Sequence, residues 1–336
     1  MDWGLVIAGL IVGGVVGLTG MGGGALMTPV LVLVFKVQPL AAISSDLVAS
    51  FFMKPIGGVV HLRRGTVNLD LVKWLCIGSV PSAFLGVFVL KSLGQGAGLQ
   101  DNIKRALGIA LLLAASGIIL KTFMTMRERV RRRRAGLPGL SAVPPKITIR
   151  PLPTIAIGAV GGLVVGMTSV GSGSLIIVAL LALYPTLQAS QLVGTDLVQA
   201  VPLVGAAALG HYLYGDFQAD ITFSLLVGAI PGVYLGARGS SGAPGGVVRR
   251  ALSFVLLASG LKLLGVSTVT LGWILLAVVV VGPFVWMAVR RSMGLPPLAR
   301  QEIAARRREL DVEESAVEPA AESAAEPAIE RGDSLA

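Results

Sequence analysis

The chain has 336 residues, of which 54% are hydrophobic and 14% charged, and its mean hydropathy is +0.81. Soluble domains carry roughly 45–50% apolar and about 25% charged residues, so this composition excludes a soluble globular protein and points to a bilayer. A single cysteine (Cys76) excludes an intrachain disulfide, two histidines are too few for a metal cluster, and the net charge of +10 lies between apolar runs, as positive cytoplasmic loops require and a nucleic-acid surface does not.

The first apolar segment, 4–36, follows MDWGL, which has an acid and no basic n-region, so no cleaved signal peptide is expected. It is interrupted by GLTGMGGGALMTP, residues 17–29, and is too long for one upright crossing of roughly 20 residues. Apolar segments 44–61, 70–90 and 104–122 follow. RERVRRRRAGLPGLSAVPPKITIR then reads as a basic linker rich in breakers. Segment 152–184 is again overlong and broken, and 192–213, 220–237, 248–265 and 269–289 complete the apolar set. After Arg308 the last 28 residues hold nine of the 18 acids and almost no large apolar side chains, the signature of a disordered tail.

The sequence repeats itself. Gly17-Leu18-Thr19-Gly20-Met21-Gly22-Gly23-Gly24 matches Gly166-Met167-Thr168-Ser169-Val170-Gly171-Ser172-Gly173 at an offset of 149. Ser45-Asp46-Leu47-Val48 matches Thr195-Asp196-Leu197-Val198 at 150. His61, Gly65, Asp70, Pro81 and Gly86 match His211, Gly215, Asp220, Pro231 and Gly236 at that same offset. A duplicated membrane unit is the usual build of a secondary transporter.

Charge counting sets the expected topology. With all nine segments crossing, and with Lys54 and Arg331 left out, the other 26 Lys and Arg divide 13 to 13. With segments 4–36 and 152–184 entering and leaving on one side, the division becomes 21 to 5, which the positive-inside rule prefers. The expected fold is an all-α polytopic membrane protein of two inverted repeats. Each repeat is a re-entrant, broken helical hairpin plus three spans, with one extra C-terminal span. The boundaries are 1–124 for the first repeat, 125–150 for a basic cytoplasmic linker, 151–290 for the second repeat and final span, and 291–336 for a charged, mostly disordered tail. Each hairpin arm is expected to hold about 12–15 residues, enough to reach the midplane at about 1.5 Å per residue.

These features resemble the sulfite exporter TauE/SafE family, also called the toluene sulfonate uptake permease family. The resemblance rests on the glycine-rich broken first segment, HLRRG at 61–65, the Asp-Leu after it and the duplication, and it covers about residues 4–290. It implies a bacterial inner-membrane, multi-pass transporter of small sulfur-containing anions such as sulfite, thiosulfate, sulfoacetate or organosulfonates.

The residues themselves offer a site. Helix starts at about Ala25 and Ser174 expose backbone N–H groups and a positive dipole end. Gly20, Gly22, Gly23 and Gly24, with Gly171 and Gly173, allow an anion to approach closely, and Thr19, Thr168, Ser169, Ser172 and Ser174 add hydroxyl donors. The competing role for these glycines is tight helix packing. Ser45-Asp46 and Thr195-Asp196 serve either to bind a coupling proton or cation or to cap their helices. Lys54, alone at mid-span and without a lysine at the equivalent place in the second half, is the charged candidate to face substrate, with Gln199 and Pro202 as weaker candidates. His61 and His211 are expected at opposite membrane faces, as interfacial anchors rather than joint metal ligands.

Function follows as a secondary transporter that uses alternating access. Its partners are a small anion and the lipid bilayer, with room for a coupling proton or cation and for a homo-oligomer, and without a cofactor or nucleic acid. The alternatives are a passive small-anion channel, a membrane protein with a non-transport assembly role, and a membrane enzyme. The last lacks a His or Cys cluster at depth, and the chain has no GxxxxGK[ST] phosphate loop.

Overall fold

The computed structural model describes residues 1–19, 23–63, 65–92, 96–134, 147–187, 189–239 and 245–295. Gly20 and Gly22, residues 135–146 of the expected linker and the acidic tail lie outside them. The described residues form eleven helices and no strand: α1 (Trp3–Thr19), α2 (Gly24–Leu33), α3 (Pro39–Arg63), α4 (Leu69–Ser92), α5 (Gly96–Arg134), α6 (Pro151–Thr168), α7 (Leu175–Leu183), α8 (Ala189–Tyr214), α9 (Ala219–Gly239), α10 (Gly245–Leu263) and α11 (Thr268–Ser292). The chain divides into Met1–Leu275, which contains α1 to α10, and Leu276–Ala336.

Both broken segments fold back on themselves. In the second, Arg150 N and the Thr154 hydroxyl, at the entry of α6, bond the Tyr184 hydroxyl at the exit of α7, at 2.8 and 2.7 Å. In the first, Phe35 after α2 returns to the start of α1, where a Cβ on Gly4 would lie 3.1 Å from its ring. The arms are unequal rather than matched: 17 and 10 residues in the first hairpin, 18 and 9 in the second. The long arms have full-length partners, because α1 lies along α9 and α6 lies along α4.

Glycine makes those pairings close. Gly9, Gly13 and Gly17 of α1 lie on the backbone of Leu225, Ala229 and Val233 of α9, and a Cβ at Gly17 would overlap the Val233 carbonyl. Gly228, Gly232 and Gly236 of α9 lie on the backbone of Val6, Leu10 and Gly14 of α1. In the matching pair, Gly158, Gly162 and Gly166 of α6 lie on the backbone of Leu75, Ser79 and Ala83 of α4, and Gly78 and Gly86 of α4 lie on that of Ile155 and Gly166. Small residues every fourth position let two apolar helices approach backbone to backbone, the main attraction open to helices in lipid. The pairing is reciprocal: each long arm leaves its own half and lies on the fourth helix of the other. The two equivalent helices α3 and α8 pack on each other antiparallel. Ser44 near the start of α3 bonds His211 near the end of α8, and Gly194 near the start of α8 lies against His61 and Thr66 at the end of α3.

Among the described residues, seven helices are long and apolar enough to cross a membrane: α3, α4, α5 from Gly98 to Arg127, α6, α8, α9 and α11. The set includes the long hairpin arm α6 and omits α10, which carries Arg249, Arg250 and Lys262. The basic run Arg127–Arg134 continues α5 as helix, since arginine is a good helix former and no glycine or proline intervenes before Gly136.

Candidate functional site

The two hairpin tips meet in the core of the Met1–Leu275 unit. A Cβ on Gly24 would fall on the carbonyl oxygen of Ser169, so the tips touch backbone to backbone. Beside this contact lies a cavity of about 10 Å³, lined by Thr19, Ala25 and Leu26 from one tip and Ser172, Gly173 and Ser174 from the other. That is room for one water. Ile118 of α5 and Leu252 and Leu256 of α10 close it.

The second tip is shaped by unusual backbone. Ser169 is left-handed (φ 57°), and Gly171 and Gly173 have φ of 126° and 91°, values open to glycine at little cost. The fold spends the expected helix-end donors internally: the N–H groups of Ser174, Leu175 and Ile176 all point to the Gly171 carbonyl. The Thr168 hydroxyl donates to Val164 O at 2.6 Å, and that of Thr19 to Val15 O at 2.8 Å. Both threonines thus commit their protons to their own helices and present only lone pairs elsewhere. The hydroxyls that turn toward charged groups are those of Ser169 and Ser172.

Behind the tips lies a buried polar cluster. Lys54 is 6% exposed and its ammonium donates to Ser172 Oγ at 2.5 Å, tying α3 of the first half to the tip of the second. It lies within electrostatic reach of both Asp196 and Asp46. Asp46 is fully buried. Its carboxylate accepts from Thr28 Oγ1 at 2.6 Å and from Ser50 Oγ at 3.4 Å, and the Ser169 hydroxyl lies beside it.

Asp196 is also buried, but one of its two oxygens is left without a partner. The Gly173 backbone and the Gln199 amide approach it, yet neither Asp196 Oδ1 nor Gln199 Nε2 completes a hydrogen bond. Gln199 Oε1 accepts from Ser79 Oγ of α4 at 3.0 Å.

The capping alternative for the aspartates does not fit the helix bounds. Asp46 lies seven residues beyond Pro39, the first residue of α3, and Asp196 lies seven beyond Ala189 in α8. Both belong to helix interiors, because the helices start in the polar turns upstream. Their neighbours have structural roles: Thr195 Oγ1 accepts from Asn68 N at 3.0 Å and Ser45 Oγ reaches Gln218 O at 3.5 Å, each at the start of the opposite half's next helix. His211 is buried between Ser44 Oγ at 2.9 Å and Gly166 O at 2.7 Å, inside the bundle rather than at its surface. His61 bonds Thr66 at 2.9 Å.

The sequence pattern missed Thr28, Ser50 and Ser79, isolated hydroxyls with no partner in the repeat. Only Ser50, at i+4 from Asp46 on the same helix, carried a signal that could have suggested it; Thr28 and Ser79 lie on other helices.

Comparison with known proteins places this geometry. The sulfite exporter TauE/SafE family matches residues 5–263, which run from α1 to the end of α10. The chain belongs to the sulfite exporter TauE/SafE family. The "Probable membrane transporter protein YjnA" of Bacillus subtilis (strain 168) is 39% identical over 265 residues, 79% of this chain and 100% of the relative. The "Probable membrane transporter protein YdhB" of the same organism is 21% identical over 260 residues, 77% of this chain and 99% of its own. A third, "Probable membrane transporter protein YunE", is 37% identical over 84 residues, 25% of this chain and 29% of that protein. No solved structure matches the chain. This member of the family is a multi-pass membrane transporter.

Proposed function

We propose that this transporter moves a small sulfur-containing anion, such as sulfite, thiosulfate, sulfoacetate or an organosulfonate, by alternating access between two inverted halves. The observation that carries the reading is the meeting of the two Gly- and Ser-rich tips over the buried ammonium of Lys54, with Ser172 as its bridge to the cavity. An anion between the tips gains that charge, the hydroxyls of Ser172 and Ser174, and backbone that glycine leaves uncovered. Gly23 and Gly24 contribute from the first tip, and Gly20 and Gly22 belong to the same stretch of sequence.

Two features support inversion and an access cycle. The antiparallel α3–α8 contact and the reciprocal α1–α9 and α6–α4 pairings are what a twofold axis in the membrane plane generates. A cavity of about 10 Å³ has room for about one water and not for an oxyanion, so the tips must part to admit one. That favours a carrier over an open channel. With the basic residues facing the cytoplasm, the Arg127–Arg134 end of α5 and the C-terminal tail lie inside the cell, and the membrane is the bacterial inner membrane.

The test is flux into proteoliposomes of sulfite, thiosulfate, sulfoacetate and taurine. Saturable flux of at least one, abolished in folded Gly24→Leu and Gly171→Leu variants, is expected. Full flux through both variants removes the tips from the pathway, and no flux with any of the four removes the substrate class.

A further inference from the structure

We propose that Asp196 is a proton-carrying group, so that each anion is bound together with one proton held on Asp196 Oδ1. This rests on the anion-transport reading above and supplies its coupling ion.

The two equivalent aspartates differ in their surroundings. Asp46 is solvated as a carboxylate, by Thr28 and Ser50 and with Ser169 alongside. In the second half the positions equivalent to Thr28 and Ser50, at offsets of 149 and 150, are Ile177 and Ala200. The aspartate is kept and its hydroxyl donors are gone. The consequence is a buried oxygen, Asp196 Oδ1, that receives no hydrogen bond, next to an amide nitrogen, Gln199 Nε2, that gives none. Ionised, that oxygen is a bare buried acceptor, the costly state in a low-dielectric interior. Protonated, it becomes a donor.

The unfilled pair defines what fits. One partner must accept from Gln199 Nε2 and, once Oδ1 is protonated, from the carboxyl O–H. An anion oxygen, or a water bridging to one, does both. A metal cation does neither, because it offers the Gln199 N–H groups no acceptor while the amide oxygen is taken by Ser79.

Charge points the same way. Among the described residues, the charged groups facing Asp196 are Lys54 and, beside it, Asp46 on α3, and Lys121 on α5; α4, α6 and α7 bring hydroxyls and backbone. Lys121 is half-buried, so the fully buried set is two carboxylates and one ammonium. An anion at the tips draws on Lys54 through Ser172 and removes counter-charge from Asp196, which then takes a proton from water on the side where the site is open. The proton returns to water on the other side when the anion leaves. Anion and proton binding therefore favour each other reciprocally.

The experiment measures binding of thiosulfate, sulfoacetate and methanesulfonate, all ionised between about pH 6 and about pH 8, to the purified full-length protein by calorimetry. For the wild type the dissociation constant is expected to rise roughly tenfold per pH unit, as one proton taken up per anion requires. Asp196→Asn, an isostere of the protonated carboxyl, should flatten that slope to near zero. Ala200→Ser, which returns the hydroxyl that Ser50 gives Asp46, should hold Asp196 ionised and move the onset of the slope to lower pH. It also keeps the assignment testable if Asp196→Asn does not fold.

A flat wild-type profile overturns proton coupling while leaving anion transport intact. A wild-type slope retained in Asp196→Asn, or an unmoved profile in Ala200→Ser, overturns the assignment to Asp196. An affinity that follows sodium instead of pH replaces the proton with a cation. Absence of binding by all three anions overturns the transport reading and this proposal with it.

Discussion

Lys54 is the most direct lever on the site. Its ammonium lies 2.5 Å from Ser172 Oγ, and because Ser172 accepts from lysine its own proton is left to donate to a bound anion at about 2.8 Å. The anion's charge then lies about 5 Å from the ammonium, which at an effective dielectric of about 20 is worth roughly 3 kcal/mol. Lys54→Met keeps the length of the side chain and removes the charge, so thiosulfate affinity should fall by about two orders of magnitude. Removing one partner of a buried charge cluster also costs fold stability, typically about 3–5 kcal/mol, so thermal unfolding of the detergent-solubilised variant must accompany the titration. Lys36→Met, at an exposed lysine that bonds the Leu33 carbonyl at the end of the first hairpin, is the control and should bind as wild type. A folded Lys54→Met protein that binds within about threefold of wild type refutes Lys54 as the counter-charge.

The remaining predictions concern the frame around the site. Gly86→Leu and Gly236→Leu, at equivalent positions of α4 and α9, should each lower thermal stability by more than about 2 kcal/mol, whereas Gly98→Ala, with open space around it, should not; equal effects would refute close packing at the paired glycines. Thr28→Val removes the 2.6 Å donor to Asp46 and should cost about 1.5–3 kcal/mol, read by thermal unfolding; an unchanged midpoint would show that Asp46 does not depend on it. Tyr184→Phe deletes the clasp of the second hairpin to Arg150 and Thr154 and should raise amide hydrogen exchange in 175–187 without affecting 24–33; uniform exchange would refute a local clasp.

Much of the frame was legible in sequence because duplication and charge asymmetry act over the whole chain. Gly17–Gly24 and its twin marked both breaks, and the 21-to-5 charge division anticipated that both segments turn back. Local geometry was less legible. The helix starts were misread because Asp46 and Asp196 follow Ser or Thr, a capping pattern, whereas α3 and α8 begin seven residues earlier. The tip donors were read as open, but three N–H groups converge on the Gly171 carbonyl, a closure that depends on positive φ at Gly171 and Gly173 and has no distinct residue signature. His211 was placed at the surface by its position in the span; its burial against Ser44 and Gly166 comes from packing between halves, which no single segment encodes. The glycine stripes on α1 and α6 were visible, but which helices they met was not, because the partners lie in the opposite repeat.

The central claim is that the two tips enclose the anion. It is tested most directly by thiol labelling of Ala25→Cys in a Cys76→Ala background, since Ala25 lines the cavity and Cys76 is the chain's own thiol. In membranes with both faces exposed, a small water-soluble maleimide should label the introduced thiol slowly as the tips part, and saturating thiosulfate or sulfite, whichever is transported, should slow labelling severalfold. Labelling at the same rate with and without the transported anion would contradict a binding site between the tips.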